Sequence, residues 1–172
     1  MSVQKYYNLA KNSLFKINRS ITGRGIRKTL NTIKKEFPEL KIYKIPSGTK
    51  VFDWKIPPEW NVSSAYVEDK FKKKIINFKN NNLHLVGYSQ KINKTVNKKQ
   101  FFDHLFSLPK QSKAIPYITS YYVKNWGFCI EDQKKKKFNK KYNEHDKFKI
   151  FINSNHNPNG YLNYGELILK GN

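Results

Sequence analysis

The sequence predicts a mixed α/β fold, α+β as it stands, in which helices come first and short strands follow. Before Pro38, apolar residues recur at helical spacing over residues 3–17 and 24–37. After Pro38, apolar and polar residues mostly alternate, which is typical of half-buried strands. The stretch 45–69 marks the change, because it holds three of the seven prolines and two of the three tryptophans.

The predicted helices have recognisable ends. Ser2 is placed to cap the first helix, and Pro38 ends the second because proline cannot continue a helix. A third helix is predicted over 98–108, where Asn97 and Gln100 have the spacing of a capping box.

Short strands account for most of the remaining chain. A first strand over 40–45 leads into a turn at residues 46–48. Phe52, Trp54 and Trp60 are predicted to anchor the structure that follows. Further strands are predicted over 52–56, 64–69, 148–152 and 161–169, and over 75–78 and 83–88 as a hairpin closed by 80–82. Residues 115–123 and 126–130 are predicted to be strands or extended chain. A basic turn at 70–74, a charged loop at 134–141 and a turn cluster at 153–160 separate them.

The net charge of +22 raises the question of nucleic-acid binding. Only three of the 34 basic residues are arginines, although arginine is the residue suited to bidentate phosphate and base contacts. The lysines are spread over the whole chain and accompany an excess of Asn, Ile, Tyr and Phe, as A+T-rich codons would produce. We therefore expect a solvated basic surface and no specific nucleic-acid partner.

The single cysteine, Cys129, allows no intramolecular disulfide. The N-terminal residues contain no apolar signal core, and no apolar run approaches the length of a membrane span. From these observations we expect a cytoplasmic protein without a membrane partner.

One glycine-rich stretch precedes a predicted helix. Gly23, Arg24 and Gly25 could present backbone amides to an anion. The dinucleotide fingerprint fails, because its third glycine falls on Lys28 and no strand precedes the stretch. The stretch predicts a flexible helix start, with a phosphate or carboxylate contact by Arg19, Arg24 and Arg27 as the alternative.

The histidines show no metal-binding or catalytic spacing; they are His84, His104, His145 and His156. His84 is expected to be a packed or half-exposed side chain in a strand. Asp103 and His104 are adjacent on a predicted helix and would point apart by about 100°. Glu144, His145 and Asp146 could form a ligand set, but their lysine-rich surroundings favour simple solvation.

Two further side chains could carry chemistry. Cys129 follows Trp126, Gly127 and Phe128, which predicts a buried, inert thiol. Asp53 lies between aromatic residues and is expected to point outward from an alternating strand. We therefore predict no catalytic, cofactor-binding or metal-binding residue in this chain.

Several segments spread along the chain carry a family resemblance; they are 17–23 (INRSITG), 45–54 (IPSGTKVFDW), 59–61 (EWN), 82–84 (NLH), 86–89 (VGYS), 107–109 (SLP), 114–117 (AIPY), 119–122 (TSYY), 126–129 (WGFC) and 164–167 (YGEL). In this order they resemble a bacterial family of aminopeptidase-like proteins often associated with polysaccharide biosynthesis.

The resemblance implies a zinc-exopeptidase-like α/β body with a nested, mostly β domain. It implies a division into body helices and first strand (1–52), nested domain (53–158) and returning strand (159–172). A full-length member would hold zinc through a His-x-Cys-His-Pro segment on the strand after the one that matches 164–169. The sequence ends before that segment, so no residue here inherits a metal role. Arg24 stands where the family would have an acidic residue.

We therefore expect the N-terminal part of an aminopeptidase-like metalloprotein, inactive alone, whose partner is the remaining C-terminal part. Whether the chain is itself an enzyme stays open. One alternative is a stand-alone basic, β-rich module that binds a polyanion, a glycan or a protein. Another is a truncated product without independent function.

Overall fold

The computed structural model describes residues 3–171, so the predicted N-cap Ser2 lies outside the described residues. Contacts divide the chain into unit 1, Met1–Asn61 with His156–Asn172, and unit 2, Val62–Asn155. The predicted boundaries after residues 52 and 158 stay a prediction. The predicted mixed α/β fold is confirmed.

The α-helices are α1 (Val3–Leu9), α2 (Gly23–Glu36), α3 (Lys98–Asp103) and α4 (Asp132–Lys141). The strands are β1 (Lys41–Pro46), β2 (Lys50–Val51), β3 (Trp54–Lys55), β4 (Glu59–Glu68), β5 (Lys74–Asn77), β6 (Ile92–Asn97), β7 (Leu105–Phe106), β8 (Phe128–Cys129), β9 (Lys147–Asn157) and β10 (Tyr161–Glu166). A π-helical turn, Ala10–Leu14, continues α1, and short 3₁₀ helices lie at Asn82–His84 and Pro109–Gln111.

Unit 1 contains the two predicted N-terminal helices and a two-stranded antiparallel sheet. The first helical segment ends at Leu14, three residues before the predicted end. β1 pairs with β10 from Lys41 opposite Glu166 to Pro46 opposite Tyr161. The side chain of Leu30 on α2 lies so close to Gly165 of β10 that a Cβ there would come within 2.9 Å of it. The glycine therefore lets the helix approach the sheet.

The predicted strand over 52–56 is reduced to β3. Val51 pairs with Trp54 in a β2–β3 hairpin, which leaves Phe52 and Asp53 at the turn. Phe52 has a φ of 51° and is 92% exposed, so it is not an anchor. Trp60 is 3% exposed and Trp54 is half-buried, but both belong to unit 1 and not to the unit that follows.

Unit 2 is built on a four-stranded sheet in the order β5-β4-β9-β6. The chain enters this unit within β4 and leaves it within β9. The predicted alternation in β9 is confirmed, because Phe148, Ile150 and Ile152 are all buried. Unit 2 also contains a small parallel sheet of β7 and β8, in which Leu105 pairs with Phe128 and Phe106 pairs with Cys129.

The predicted hairpin between 75–78 and 83–88 is wrong. β5 pairs with β4, and the turn between them is the predicted basic turn. The Asn81 side chain accepts a hydrogen bond from the Leu83 amide at 2.9 Å and begins a 3₁₀ turn, so residues 82–84 are not a strand. The 153–160 cluster is also mostly strand, because β9 continues to Asn157.

The third predicted helix is shorter than expected. The capping box of Asn97 and Gln100 is confirmed, with both reciprocal hydrogen bonds present. α3 nevertheless ends at Asp103, because His104 stacks on the Trp126 ring at 3.9 Å and residues 105–106 pair with β8.

The predicted charged loop over 134–141 is a helix, α4. Asp132 in its first turn and Lys140 and Lys141 in its last turn all complement the helix dipole. Lysine is a good helix former, and Phe138 packs against Tyr142 at a centroid distance of 5.7 Å. Residues 115–123 form no regular strand and contribute only a bridge between Thr119 and Gly87.

Candidate functional site

The most heavily bonded polar group of unit 1 is the Glu59 carboxylate. Arg27 donates from Nη2 to Oε1 and from Nη1 to Oε2, each at 2.8 Å. Asn61 Nδ2 donates to Oε1 at 3.0 Å, and the Tyr161 amide donates to Oε2 at 3.4 Å. The Cβ of Gly160, were it present, would lie 2.1 Å from Glu59 Cβ, so glycine is needed for this close approach. α2, β4 and β10 thus meet at one carboxylate.

The Glu59 carboxylate is suited to a structural role and not to proton transfer. The hydrogen bonds from Arg27 lower the pKa of Glu59 to about 2, although burial opposes that shift. The same pair raises the pKa of Arg27. Glu59 therefore stays ionised near neutral pH with its lone pairs already used, whereas a general base needs a pKa near the working pH and an open lone pair.

The Gly23–Gly25 stretch is explained by close backbone approach. Gly23 has a φ of 90°, and a Cβ there would lie 2.3 Å from the Trp60 carbonyl oxygen. A Cβ at Gly25 would lie 1.8 Å from the Asn18 carbonyl oxygen. The Arg24 amide at the start of α2 donates to Asn61 Oδ1 at 2.8 Å. These contacts favour a packing role over an anion cradle.

The arginines have different roles within unit 1. Arg27 makes the predicted carboxylate contact, but to Glu59 of the same unit. Arg19 Nη1 donates to the Leu14 carbonyl at 2.6 Å. Arg24 is exposed. Glu59 was missed in the sequence, because nothing local links it to an arginine 32 positions away.

The histidines are placed as packed or surface side chains. His84 is buried in a 3₁₀ turn, where its Nδ1 lies 2.8 Å from the Cys129 carbonyl oxygen, and burial lowers its pKa. His104 Nδ1 lies 2.8 Å from the Trp126 carbonyl oxygen. His145 is exposed. Asp103 pairs with Lys99 at 3.5 Å.

The remaining candidate side chains are buried, exposed or engaged in ion pairs. Cys129 is fully buried, and burial raises the pKa of its thiol to about 12. Asp53 is exposed at the β2–β3 turn. Glu144 pairs with Lys98 at 3.1 Å and Asp146 with Lys70 at 2.9 Å.

Metal binding has no structural basis in the described residues. Over residues 3–171, no three His, Cys, Asp or Glu side chains come together in a way that could hold an ion. The donor set that zinc requires, usually three or four such ligands, is therefore not formed by this part of the chain. The predicted lack of catalytic, cofactor and metal residues stays a prediction.

Residues 59–155, more than half of the chain, match the model of a family described as a domain of unknown function (DUF2172). The chain belongs to the DUF2172 family. The matched residues comprise all of unit 2 and the first residues of β4.

A relative in Clostridium acetobutylicum extends the similarity to unit 1. It is 43% identical over 167 residues, which cover 96% of this chain and 36% of the relative. That protein is named as a candidate polysaccharide biosynthesis protein with an aminopeptidase-like domain. The resemblance found in the sequence is thereby confirmed.

A solved structure agrees with this relationship. The crystal structure of a candidate peptidase from Clostridium acetobutylicum superposes with a TM-score of 0.83 and 42% identity. The superposition covers 94% of this DUF2172 chain and 36% of the crystallised one. The chain thus spans about a third of the length of the relatives it matches. Within residues 3–171, no helix combines the length and apolar character needed to cross a membrane.

Proposed function

We propose that this chain acts as the N-terminal part of an aminopeptidase-like protein and does not hydrolyse peptides alone. The 43% identity supports this, because it runs over 96% of this chain but only 36% of the relative. A function in polysaccharide biosynthesis, suggested by the name of that relative, belongs to the same proposal. So does a cytoplasmic location, which the single cysteine favours.

The structural observation that carries the proposal is the open sheet of unit 1. β1 and β10 form a sheet of only two strands within the described part of the chain. None of the six residues of β1 is fully buried. Two strands rarely make a stable sheet by themselves, and an unpaired edge offers backbone groups to a further strand. The sheet is therefore suited to pair with another segment.

The other strand, β10, offers a different kind of contact. Its outer side is already bonded near its start, since Asn163 donates its amide to the Ile21 carbonyl at 3.3 Å. Beyond the strand, Ile168 and Leu169 are 70% and 82% exposed. These apolar side chains would gain about 1.5–3 kcal/mol each if a partner buried them fully.

The zinc chemistry expected of full-length relatives cannot be assigned to these residues. The described side chains form no group with enough metal ligands, so donors and any catalytic base would come from the remaining polypeptide. This chain would then supply unit 1, as one part of the α/β body, together with unit 2.

The experiment mixes this chain with the part of the Clostridium acetobutylicum relative that lies outside the aligned region. A one-to-one complex measured by light scattering is expected. Ile168→Ser with Leu169→Ser should weaken it about 100-fold or more, from the apolar burial lost. Phe52→Ser is the matched control, because Phe52 is 92% exposed at a turn. No complex, or equal weakening by the control, would overturn the proposed docking.

A further inference from the structure

The fold brings the end of one lysine-rich segment of unit 2 next to another. The turn between β4 and β5 carries Lys70, Lys72 and Lys73, β5 begins with Lys74, and α4 carries six lysines. At the end of α4, Tyr142 donates its hydroxyl to Asp69 at 2.9 Å. Lys141 Nζ lies 3.7 Å from the same carboxylate. We call residues 70–74 with the exposed lysines of α4 the lysine surface.

Two acidic residues near this surface already pair with its lysines. Asp132 pairs with Lys136 at 2.8 Å, and Asp146 pairs with Lys70 at 2.9 Å. Lys72, Lys73, Lys137 and Lys140 are exposed. Lysines four apart on a helix repel each other by a few tenths of a kcal/mol per pair, and a nearby anion relieves that repulsion. The surface is therefore complementary to negative charge.

Charge by itself would fit any anion, but the lysine surface also holds an exposed aromatic ring. Phe71 is 70% exposed, and its neighbours along the turn are lysines. Asp69 accepts hydrogen bonds from the Phe71 amide at 3.0 Å and from the Lys73 amide at 3.1 Å. The turn is thus held in one shape that leaves Phe71 outside the core.

We propose that the lysine surface docks on a membrane surface rich in anionic lipid, with Phe71 entering the headgroup region. Lysines attract anionic headgroups as point charges and need no bidentate geometry, which suits a surface without arginine. An apolar ring among lysines is the combination that favours the membrane interface over free solution. The expectation of no membrane partner rested on the lack of a signal core and of a spanning segment, neither of which a surface contact requires.

The test measures co-sedimentation of the whole chain with vesicles. Vesicles of phosphatidylcholine with about one-third phosphatidylglycerol should bind, pure phosphatidylcholine should not, and high salt should release the protein. The triple variant Lys73→Gln, Lys137→Gln, Lys140→Gln should bind on the order of 100-fold more weakly, given about fivefold per lysine. Phe71→Ser should weaken binding about tenfold.

Matched controls separate this surface from the general basic charge. Lys110→Gln, Lys113→Gln and Lys124→Gln change the net charge equally at exposed positions of the same unit. Tyr122→Ser removes a ring that is 63% exposed elsewhere. Both controls should bind vesicles like the parent, and thermal melts should show every variant folded.

Three results would overturn the proposal. One is an absence of binding to the anionic vesicles. Another is equal weakening by the two triple variants, which would reduce the effect to net charge. The third is unchanged vesicle binding by Phe71→Ser together with equally tight binding of soluble polyphosphate by the parent, which would assign the surface to a soluble polyanion.

Discussion

Replacing Glu59 by glutamine tests the junction of α2, β4 and β10 directly. The substitution keeps the shape of the side chain but removes the charge that accepts two hydrogen bonds from Arg27. A glutamate with a pKa of about 2 in the folded chain, instead of 4.5, stabilises the fold by about 3 kcal/mol at pH 7. We therefore expect Glu59→Gln to lower the free energy of unfolding by about that amount.

The pH dependence follows from the direction of the shift. Because the pKa of Glu59 is lowered on folding, its stabilisation is fully present above 4.5 and is lost as the pH falls toward about 2. The difference between parent and Glu59→Gln should thus shrink from about 3 kcal/mol at pH 7 to about 1 kcal/mol at pH 3. Comparing the parent with Glu59→Gln at each pH removes the contribution of the other carboxylates, because they titrate in both proteins.

Urea unfolding at several pH values measures this difference, and hydrogen exchange over Gly23–Glu36 shows whether unit 1 is the part that loosens. Glu166→Gln is the matched control: Glu166 is an exposed glutamate of the same unit, and the change should cost less than about 0.5 kcal/mol. A cost below about 1 kcal/mol for Glu59→Gln at pH 7, or one that does not shrink in acid, would refute the reasoning.

Three other outcomes are expected. Gly25→Ala should destabilise unit 1 by more than about 3 kcal/mol in urea unfolding, since its Cβ would overlap a carbonyl oxygen, whereas Gly171→Ala in open space should be neutral. Cys129 should resist a thiol reagent at pH 8 until urea is added, because burial raises its pKa to about 12; rapid labelling of the folded chain would contradict this. Tyr142→Phe should cost about 1–3 kcal/mol in thermal melts by leaving a buried carboxylate short of one donor, and an unchanged melting temperature would argue against that hydrogen bond.

Local patterns in the sequence were enough to predict several elements. The alternation of Phe148, Ile150 and Ile152 identifies β9, because one face of that strand packs in the core. The capping box at Asn97 and Gln100 identifies the start of α3, because both partners lie within one turn. Such signals depend only on neighbours in sequence.

The elements that were missed depend on distant contacts. Phe52 alternates with its neighbours as a strand residue would, but the Val51–Trp54 pairing turns the chain there. α4 contains so many lysines that its apolar side is reduced to Phe138, although Asp132 and the terminal lysines were available as helix signals. The end of α3 is set by residues more than twenty positions further along.

The candidate sites also depend on residues that are far apart in the sequence. The Arg27–Glu59 pair joins residues 32 positions apart, and neither carries a motif. The lysine surface joins the β4–β5 turn to α4 through Asp69 and Tyr142, which are 73 positions apart. Composition revealed the charge of these lysines, but only the fold brings the end of α4 to the turn that carries Phe71.

The most direct test of the proposed function measures zinc content and aminopeptidase activity of the purified chain alone. We predict no stoichiometric zinc and no hydrolysis of aminoacyl substrates, because the described residues assemble no metal-ligand group. Bound zinc at one or two equivalents together with clear hydrolysis by the pure chain would contradict this prediction.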